Sequence, residues 1–188
     1  YNGGSITAGD TGAKVTVDLV GDNYINNGSL VGSYGSDITV TSSSGGTLTI
    51  TNTLSSKNPA IGIETDFSGS YKTGNVTITG DAKVTIEMTH NGSRTYEKAY
   101  GIFARKNITI SESASVDITC ATSNNTTGGS NCNGLYAAQN VTIDTNGTIK
   151  INVKDAGKDG AYSYGIYPMG SAATLTNFGE MEVQWKKN

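Results

Sequence analysis

Charge is scarce in this chain of 188 residues, where Asp, Glu, Lys and Arg together make up 15%. The formal net charge is −3, and the two arginines, Arg94 and Arg105, lie among scattered lysines. A face that binds phosphates needs clustered cations, so nucleic acid is excluded as a partner. Histidine occurs once, as His90. A single imidazole excludes a histidine metal cluster and leaves little for histidine-activated nucleophiles. No Gly-x-Ser-x-Gly or phosphate-loop motif is present. No apolar run approaches the roughly 20 residues of a membrane span, so no membrane insertion is expected. Proline occurs twice and cysteine twice. Two cysteines are too few for a disulfide framework and too sparse for a zinc site. Strand-like sequence begins already at Ser5-Ile6-Thr7 without a leader pattern, as expected of a processed exported protein or an excised domain.

What the chain does have is glycine, 25 residues of it, with abundant Thr, Ser and Asn around short stretches of Val and Ile. That mixture suits many short strands joined by polar turns. Reading for self-similarity exposes the organisation. An apolar-Thr-apolar element occurs at Ile6-Thr7-Ala8, Ile38-Thr39-Val40, Val76-Thr77-Ile78, Ile108-Thr109-Ile110, Val141-Thr142-Ile143 and Ala173-Thr174-Leu175. The threonines are separated by 32, 38, 32, 33 and 32 residues. A paired aliphatic element follows each: Val15/Val17, Leu48/Ile50, Val84/Ile86, Val116/Ile118, Ile149/Ile151 and Met181/Val183. Strict alternation sends these residues to one side and their polar neighbours to the other. A glycine element precedes the threonine element in later repeats, as Gly62-Ile63, Gly101-Ile102, Gly134-Leu135 and Gly165-Ile166, with Leu30-Val31 as a degenerate form.

A period in this range marks a repeat architecture. One repeat cannot bury its own apolar side, but coiling it and stacking the coils pairs each strand with its equivalents above and below. The expected fold is therefore all-β: a parallel β-solenoid of about six coils with three short strands each, forming one domain over residues 1–188. Right-handedness is expected by the general rule for parallel crossovers. An antiparallel sandwich explains the alternation but not the period. Insertions should fall after the aliphatic element, near Asn91-Gly92, Gly128-Gly129 and Lys158-Asp159-Gly160.

The stretches Tyr100-Gly-Ile-Phe-Ala, Asn133-Gly-Leu-Tyr-Ala-Ala-Gln-Asn-Val-Thr-Ile and Asn146-Gly-Thr-Ile-Lys-Ile-Asn-Val, with Ser163-Tyr-Gly-Ile-Tyr, resemble the degenerate repeats of bacterial surface and secreted β-helix proteins. Autotransporter-passenger-like adhesins and Gram-positive β-helical surface proteins are examples. The resemblance covers most of residues 60 to 185 and weakly the first 60. It implies a secreted or cell-surface location, and among such proteins some have carbohydrate-binding roles. It is specific for fold and loose for function, because many activities share this scaffold.

Several residues are candidates for more than scaffolding. Phe103, Tyr136 and Tyr167 are equivalent in three repeats and should point outward, with Tyr100 and Tyr164 nearby and Glu64 breaking the column. Rows of exposed aromatics stack on the apolar faces of sugar rings, although they also stabilise a sheet face without any ligand. Cys120 and Cys132 flank a polar loop, and a disulfide between them would staple it in an oxidising compartment; two thiols are the alternative. Asp37, Asn75, Asn107 and Asn140 precede the threonine element and should form a ladder between coils. The threonines and a second column, Thr41, Thr79, Ser111, Asp144 and Thr176, form an array of the kind used in ice binding, but Thr is also the favoured solvent-side strand residue. Residues 155–160 faintly resemble an acidic calcium loop, but Ile166 stands where the late carboxylate should be, so no metal or other cofactor is expected.

These readings converge on a non-catalytic module for adhesion or ligand binding. Its partner would be a glycan or a surface protein of a host or neighbouring cell. The alternatives are a structural stalk and a β-helix polysaccharide-active enzyme. The enzyme would need clustered carboxylates on one face. Asp117 and Lys150 look instead like cross-coil charge pairing, with Glu87 and Glu182 in neighbouring ladders.

Overall fold

Runs in which a β-branched or aliphatic residue alternates with Thr, Ser or Asn hold the backbone extended and give each strand one apolar side. The computed structural model describes residues 5–55, 58–65, 73–91, 98–122, 131–155, 162–170, 172–176 and 179–187. It contains eighteen strands: β1 (Ile6–Ala8), β2 (Lys14–Asp18), β3 (Asp22–Asn26), β4 (Leu30–Gly32), β5 (Asp37–Thr41), β6 (Thr47–Leu54), β7 (Ala60–Thr65), β8 (Val76–Ile78), β9 (Lys83–His90), β10 (Lys98–Ala104), β11 (Ile108–Glu112), β12 (Ser115–Thr122), β13 (Asn131–Ala137), β14 (Val141–Thr145), β15 (Ile149–Asp155), β16 (Tyr164–Pro168), β17 (Ala173–Leu175) and β18 (Met181–Lys187). A short 3-10 turn at Ser33–Gly35 is the one helical element among the described residues.

Every third strand belongs to the same parallel sheet. The glycine sheet runs β1-β4-β7-β10-β13-β16, the threonine sheet β17-β14-β11-β8-β5-β2, and the aliphatic sheet β18-β15-β12-β9-β6-β3. This is a parallel β-solenoid with three strands per coil. In each sheet four of the six strands have partners on both sides. About four turns are therefore covered above and below, fewer than the six coils expected, and the outermost strands are open ends.

The inward residues stack in columns. In the threonine sheet Val40, Ile78, Ile110 and Ile143 follow one another in register. In the aliphatic sheet Ile50, Ile86, Ile118 and Ile151 do the same. All are buried in one continuous core. Burying each such side chain contributes on the order of 1.5–3 kcal/mol, so the columns dominate stability.

The first turn departs from the expected register. Thr16, not Thr7, pairs with Thr39, because β2 rather than β1 lies beside β5. Strand β1 instead pairs with β4 in the glycine sheet. The third position is filled by β3, where Ile25 faces Ile50, so Val15 and Val17 belong to the threonine sheet. The physical reason is loop length. Nothing in the solenoid requires a constant number of residues per turn, and the chain passes from Thr16 to Thr39 in 23 residues. The spacing of 32 from Thr7 to Thr39 matches the later period by coincidence.

The glycines of the glycine sheet fix its shape. Alternation slips by one at each of them. Ala99, Ile102 and Ala104 belong to the core, while Tyr100 and Phe103 pack together on the other side. Gly101 thus stands inside, next to a second inward residue, where the strand bends. A Cβ placed there would lie 2.4 Å from Ile118 Cγ2 and 2.6 Å from the Gly134 carbonyl oxygen. The equivalent glycines 62, 134 and 165 meet Ile86, Ile151 and Val183 in the same way. Only a residue without a side chain lets the two sheets approach this closely.

Candidate functional site

The bend in the glycine sheet turns two neighbouring columns outward. One consists of Ile61, Tyr100, Asn133 and Tyr164, and the other of Glu64, Phe103, Tyr136 and Tyr167. Phe103 and Tyr136 stack with ring centres 4.9 Å apart and planes within 8°. Tyr136 meets Tyr167 at 5.4 Å and 49°. Tyr100 meets both Phe103 and Tyr136 edge-on, at 5.6 and 5.7 Å. On the last coil Tyr164 and Tyr167 stack at 4.6 Å and 12°. The five aromatic candidates are therefore one contiguous cluster.

They are not one exposed row, however. Tyr100 and Phe103 are buried, packed with Ile61 and beneath Tyr136. The Arg105 guanidinium lies 5.4 Å from the centre of the Phe103 ring, a cation–π arrangement that covers that end further. The expectation of a uniform aromatic ladder is thus corrected. Its early rungs form a small second core, and its late rungs, Tyr136, Tyr164 and Tyr167, reach solvent. The cluster runs from closed to open along the coil axis because β10 is flanked by strands on both sides, whereas β16, which carries Tyr164 and Tyr167, is the edge strand of the described sheet.

At the open end the tyrosines line a cleft of about 380 Å³, together with Lys98, Asn131, Asn133, Tyr162 and Met169. This volume is within the range of small-ligand sites. The exposed Tyr162 was not among the sequence candidates; it lies two residues before β16, outside the repeat pattern that identified the others. The cleft walls are tied to the scaffold. Tyr136 donates its hydroxyl to Met169 Sδ at 3.0 Å, and Asn133 Oδ1 accepts the Tyr164 amide at 3.1 Å. Burial pushes the Tyr100 hydroxyl far above the ordinary tyrosine range, with Tyr136 and Cys132 adding to the effect. Burial likewise raises Tyr136; Tyr167 adds to this and Arg105 opposes it. Both rings therefore stay neutral hydrogen-bonding groups at physiological pH.

The polar ladder of the threonine sheet forms as expected. Asn75 Nδ2 donates to Asp37 Oδ1 at 2.9 Å, Asn107 Nδ2 to Asn75 Oδ1 at 3.0 Å, and Asn140 Nδ2 to Asn107 Oδ1 at 3.2 Å. The backbone amides of Asn75 and Asn140 donate to the same oxygens, at 2.8 and 3.2 Å. Beside it run Thr16, Thr39, Thr77, Thr109, Thr142 and Thr174, in register. In the second column Thr79 and Ser111 share a hydrogen bond of 3.0 Å.

Cys120 and Cys132 are two buried thiols, not a disulfide. Both point into the core, Cys120 between Met88 and Val153 in the aliphatic sheet and Cys132 beside Ala99 in the glycine sheet. The Cys120 thiol reaches the Asn133 carbonyl at 3.4 Å. Cys132 fills an inward slot that Ala60 and Ala99 fill on earlier turns, and Cys120 one that Met88 and Val153 fill on its neighbours, which their flanking of a loop did not reveal. His90 is buried as well, in register with Leu54 and Thr122. Asp117 lies opposite Lys150, and Lys150 opposite Glu182, an alternating charge column on an exposed strand face. Glu87 is one column over, opposite Thr51 and Thr119. The loop tips at 92, 128–129 and 158–160, and the acidic loop that follows Asp155, lie outside the described residues.

Among the described residues no group of three or more His, Cys, Asp or Glu is arranged to hold a metal ion. No helix among them is long and apolar enough to cross a membrane. Comparison with protein-family models, with curated proteins and with solved structures gives no match.

Proposed function

We propose that this chain is a non-catalytic binding module of an extracellular protein, secreted or held at a cell surface, and that its tyrosine cleft takes a glycan. The observation that carries the reading is the cleft formed by Tyr136, Tyr162, Tyr164 and Tyr167 with Asn131, Asn133 and Lys98 at its polar edges. Flat apolar rings with a few fixed amide and hydroxyl groups match a sugar, which offers an apolar ring face and a rim of hydroxyls. The resemblance of the repeats to bacterial surface β-helix proteins agrees with it, and with it goes the right-handed winding that parallel crossovers adopt as a rule.

A glycan-array screen of the whole chain, alongside Tyr164→Ala/Tyr167→Ala, tests the proposal. Binding that the double variant loses at least tenfold supports it. A folded protein that binds no glycan, or a variant that binds as well as the parent, removes it and leaves a protein-adhesive module or a structural stalk. The polysaccharide-active enzyme ranks below these, because Lys150 stands in register between the exposed carboxylates Asp117 and Glu182, an alternating charge column that the scaffold alone accounts for.

A further inference from the structure

A second recess lies on the outer face of the threonine sheet. Between the Asp37–Asn140 ladder and the threonine ladder runs a groove of about 520 Å³, lined by one residue of each ladder on β2, β5, β8, β11 and β14. With rungs about 4.8 Å apart, five strands make it roughly 20 Å long. Four of them, β5, β8, β11 and β14, have partners on both sides, so the groove is built from the inside of the coil and not from its ends. Its two walls differ. In the asparagine wall each amide gives one N–H to the residue below it and keeps the other. In the threonine wall the hydroxyls of Thr39, Thr77, Thr109 and Thr142 have no hydrogen-bond partner among the described residues, although these side chains are only partly exposed. They follow one another in register, and threonine is stiff at χ1, so the groove holds a preorganised row of groups that both donate and accept.

We propose that this groove binds a linear polysaccharide whose sugars are joined by equatorial β-1,4 bonds, lying along the coil axis. From Asn75 to Thr142 the lining carries no charge, so the ligand is met by hydrogen bonds and not by ion pairs. A furrow between two ladders receives a chain, whereas a lattice plane such as ice needs a flat face. The period then selects the chain. The open hydroxyls recur once per rung, and a partner that engages them all must repeat its own polar groups at nearly that distance. An extended peptide repeats its like-facing groups every second residue, roughly 7 Å, and falls out of step. A β-1,4-linked hexose ribbon advances by close to one rung per sugar, so four sugars match Thr39, Thr77, Thr109 and Thr142. Successive sugars in such a ribbon are flipped, but each has hydroxyls on both edges, and a threonine hydroxyl serves either a donor or an acceptor. The ligand is thus held by its hydroxyl rim, not by stacking of its ring face, and the site is independent of the tyrosine cleft.

Isothermal titration calorimetry of the whole chain with cellohexaose, mannohexaose and chitohexaose tests this, beside maltohexaose, whose α-1,4 bonds coil the chain. At least one of the three β-1,4 hexamers should bind, at least tenfold more tightly than its own disaccharide and than maltohexaose. Thr77→Val/Thr109→Val removes two hydroxyls and keeps the branched shape that suits a strand; it should weaken that binding at least tenfold. Thr109→Arg fills the groove and should abolish it. Far-UV circular dichroism checks both folds, and the valine variant decides if the arginine one does not fold. Tyr164→Ala/Tyr167→Ala should leave this binding unchanged, so the groove and the tyrosine cleft stand or fall separately. A folded parent that binds none of the three hexamers overturns the proposal. So does equal affinity for maltohexaose, a valine variant that binds like the parent, or binding lost in the tyrosine variant alone.

Discussion

The outer faces of the glycine and threonine sheets rest on the same scaffold and end differently. On the threonine sheet, each asparagine amide of the Asp37–Asn140 ladder donates a hydrogen bond to the residue below it. On the glycine sheet, aromatic rings pack against one another over the early coils and then open into a cleft, leaving tyrosine faces in solvent. A ladder that satisfies itself contributes stability. A ladder that runs out of partners offers surface to something else. Sequence alone presents both as columns of like residues; their difference lies in what each column meets at its end.

The comparison can be broken at the scaffold first. Gly101→Val should have the largest effect, because its side chain meets Ile118 and the Gly134 carbonyl, neither of which can retreat. A loss of about 3 kcal/mol or more is expected, seen as a large fall in melting temperature or as failure to fold. Both faces would be lost together. Unchanged thermal stability would show that the two sheets do not approach as described.

The faces should then separate. Asn107→Ala removes the middle of the amide ladder, taking away the acceptor for Asn140 and the donor to Asn75. It should lower the unfolding free energy in urea by about 1–3 kcal/mol and leave any binding at the tyrosine cleft intact. Tyr164→Ala should do the reverse. It lies exposed on the last coil, so stability should change by about 0.5 kcal/mol or less, while binding falls. If both variants affected stability alone, the cleft would be scaffold like the ladder.

The smallest effect sharpens the contrast within the aromatic cluster itself. A tyrosine whose folded-state value lies above the unfolded value of about 10 favours the native state while it is neutral. For Tyr100 that stability is complete below about pH 10 and is lost progressively as the pH rises above it, because the unfolded chain ionises first. Ultraviolet titration should therefore show part of the ten tyrosines ionising late, or together with alkaline unfolding. Tyr100→Phe should remove one residue's share of that late phase and weaken the decline.

Most of the solenoid was legible because inward columns are written directly into the chain. Val-Thr-Ile, Ile-Thr-Ile and Val-Thr-Ile at Thr77, Thr109 and Thr142 lie where their spacing puts them. The first turn was not legible, because Ile6-Thr7-Ala8 and Val15-Thr16-Val17 share one alternation and only strand pairing tells them apart. The equivalence of Phe103, Tyr136 and Tyr167 was legible for the same reason as the core columns. Which of them reach solvent was not, since that depends on the slip of alternation at Gly101 and on Arg105 over Phe103. The cysteines misled because proximity to a loop carries no information about which way a side chain points. For Cys120 the strand parity with Ile118 carried it instead; for Cys132 parity was hidden by the slip of alternation at Gly134, which brings Cys132 and Leu135 to the same side.

The rung-by-rung pairing has a mechanical consequence. In a parallel solenoid the interstrand hydrogen bonds point along the coil axis, so a pull on the two chain ends loads them singly at the last rung instead of sharing the load across a sheet. The molecule would yield by unspooling from its ends. Each turn such as that from Thr77 to Thr109 would release 32 residues, roughly 110 Å of chain at full extension. A solenoid loaded this way lengthens stepwise, and the tyrosine cleft, whose walls come from β10, β13 and β16, is lost as soon as one of those turns is released.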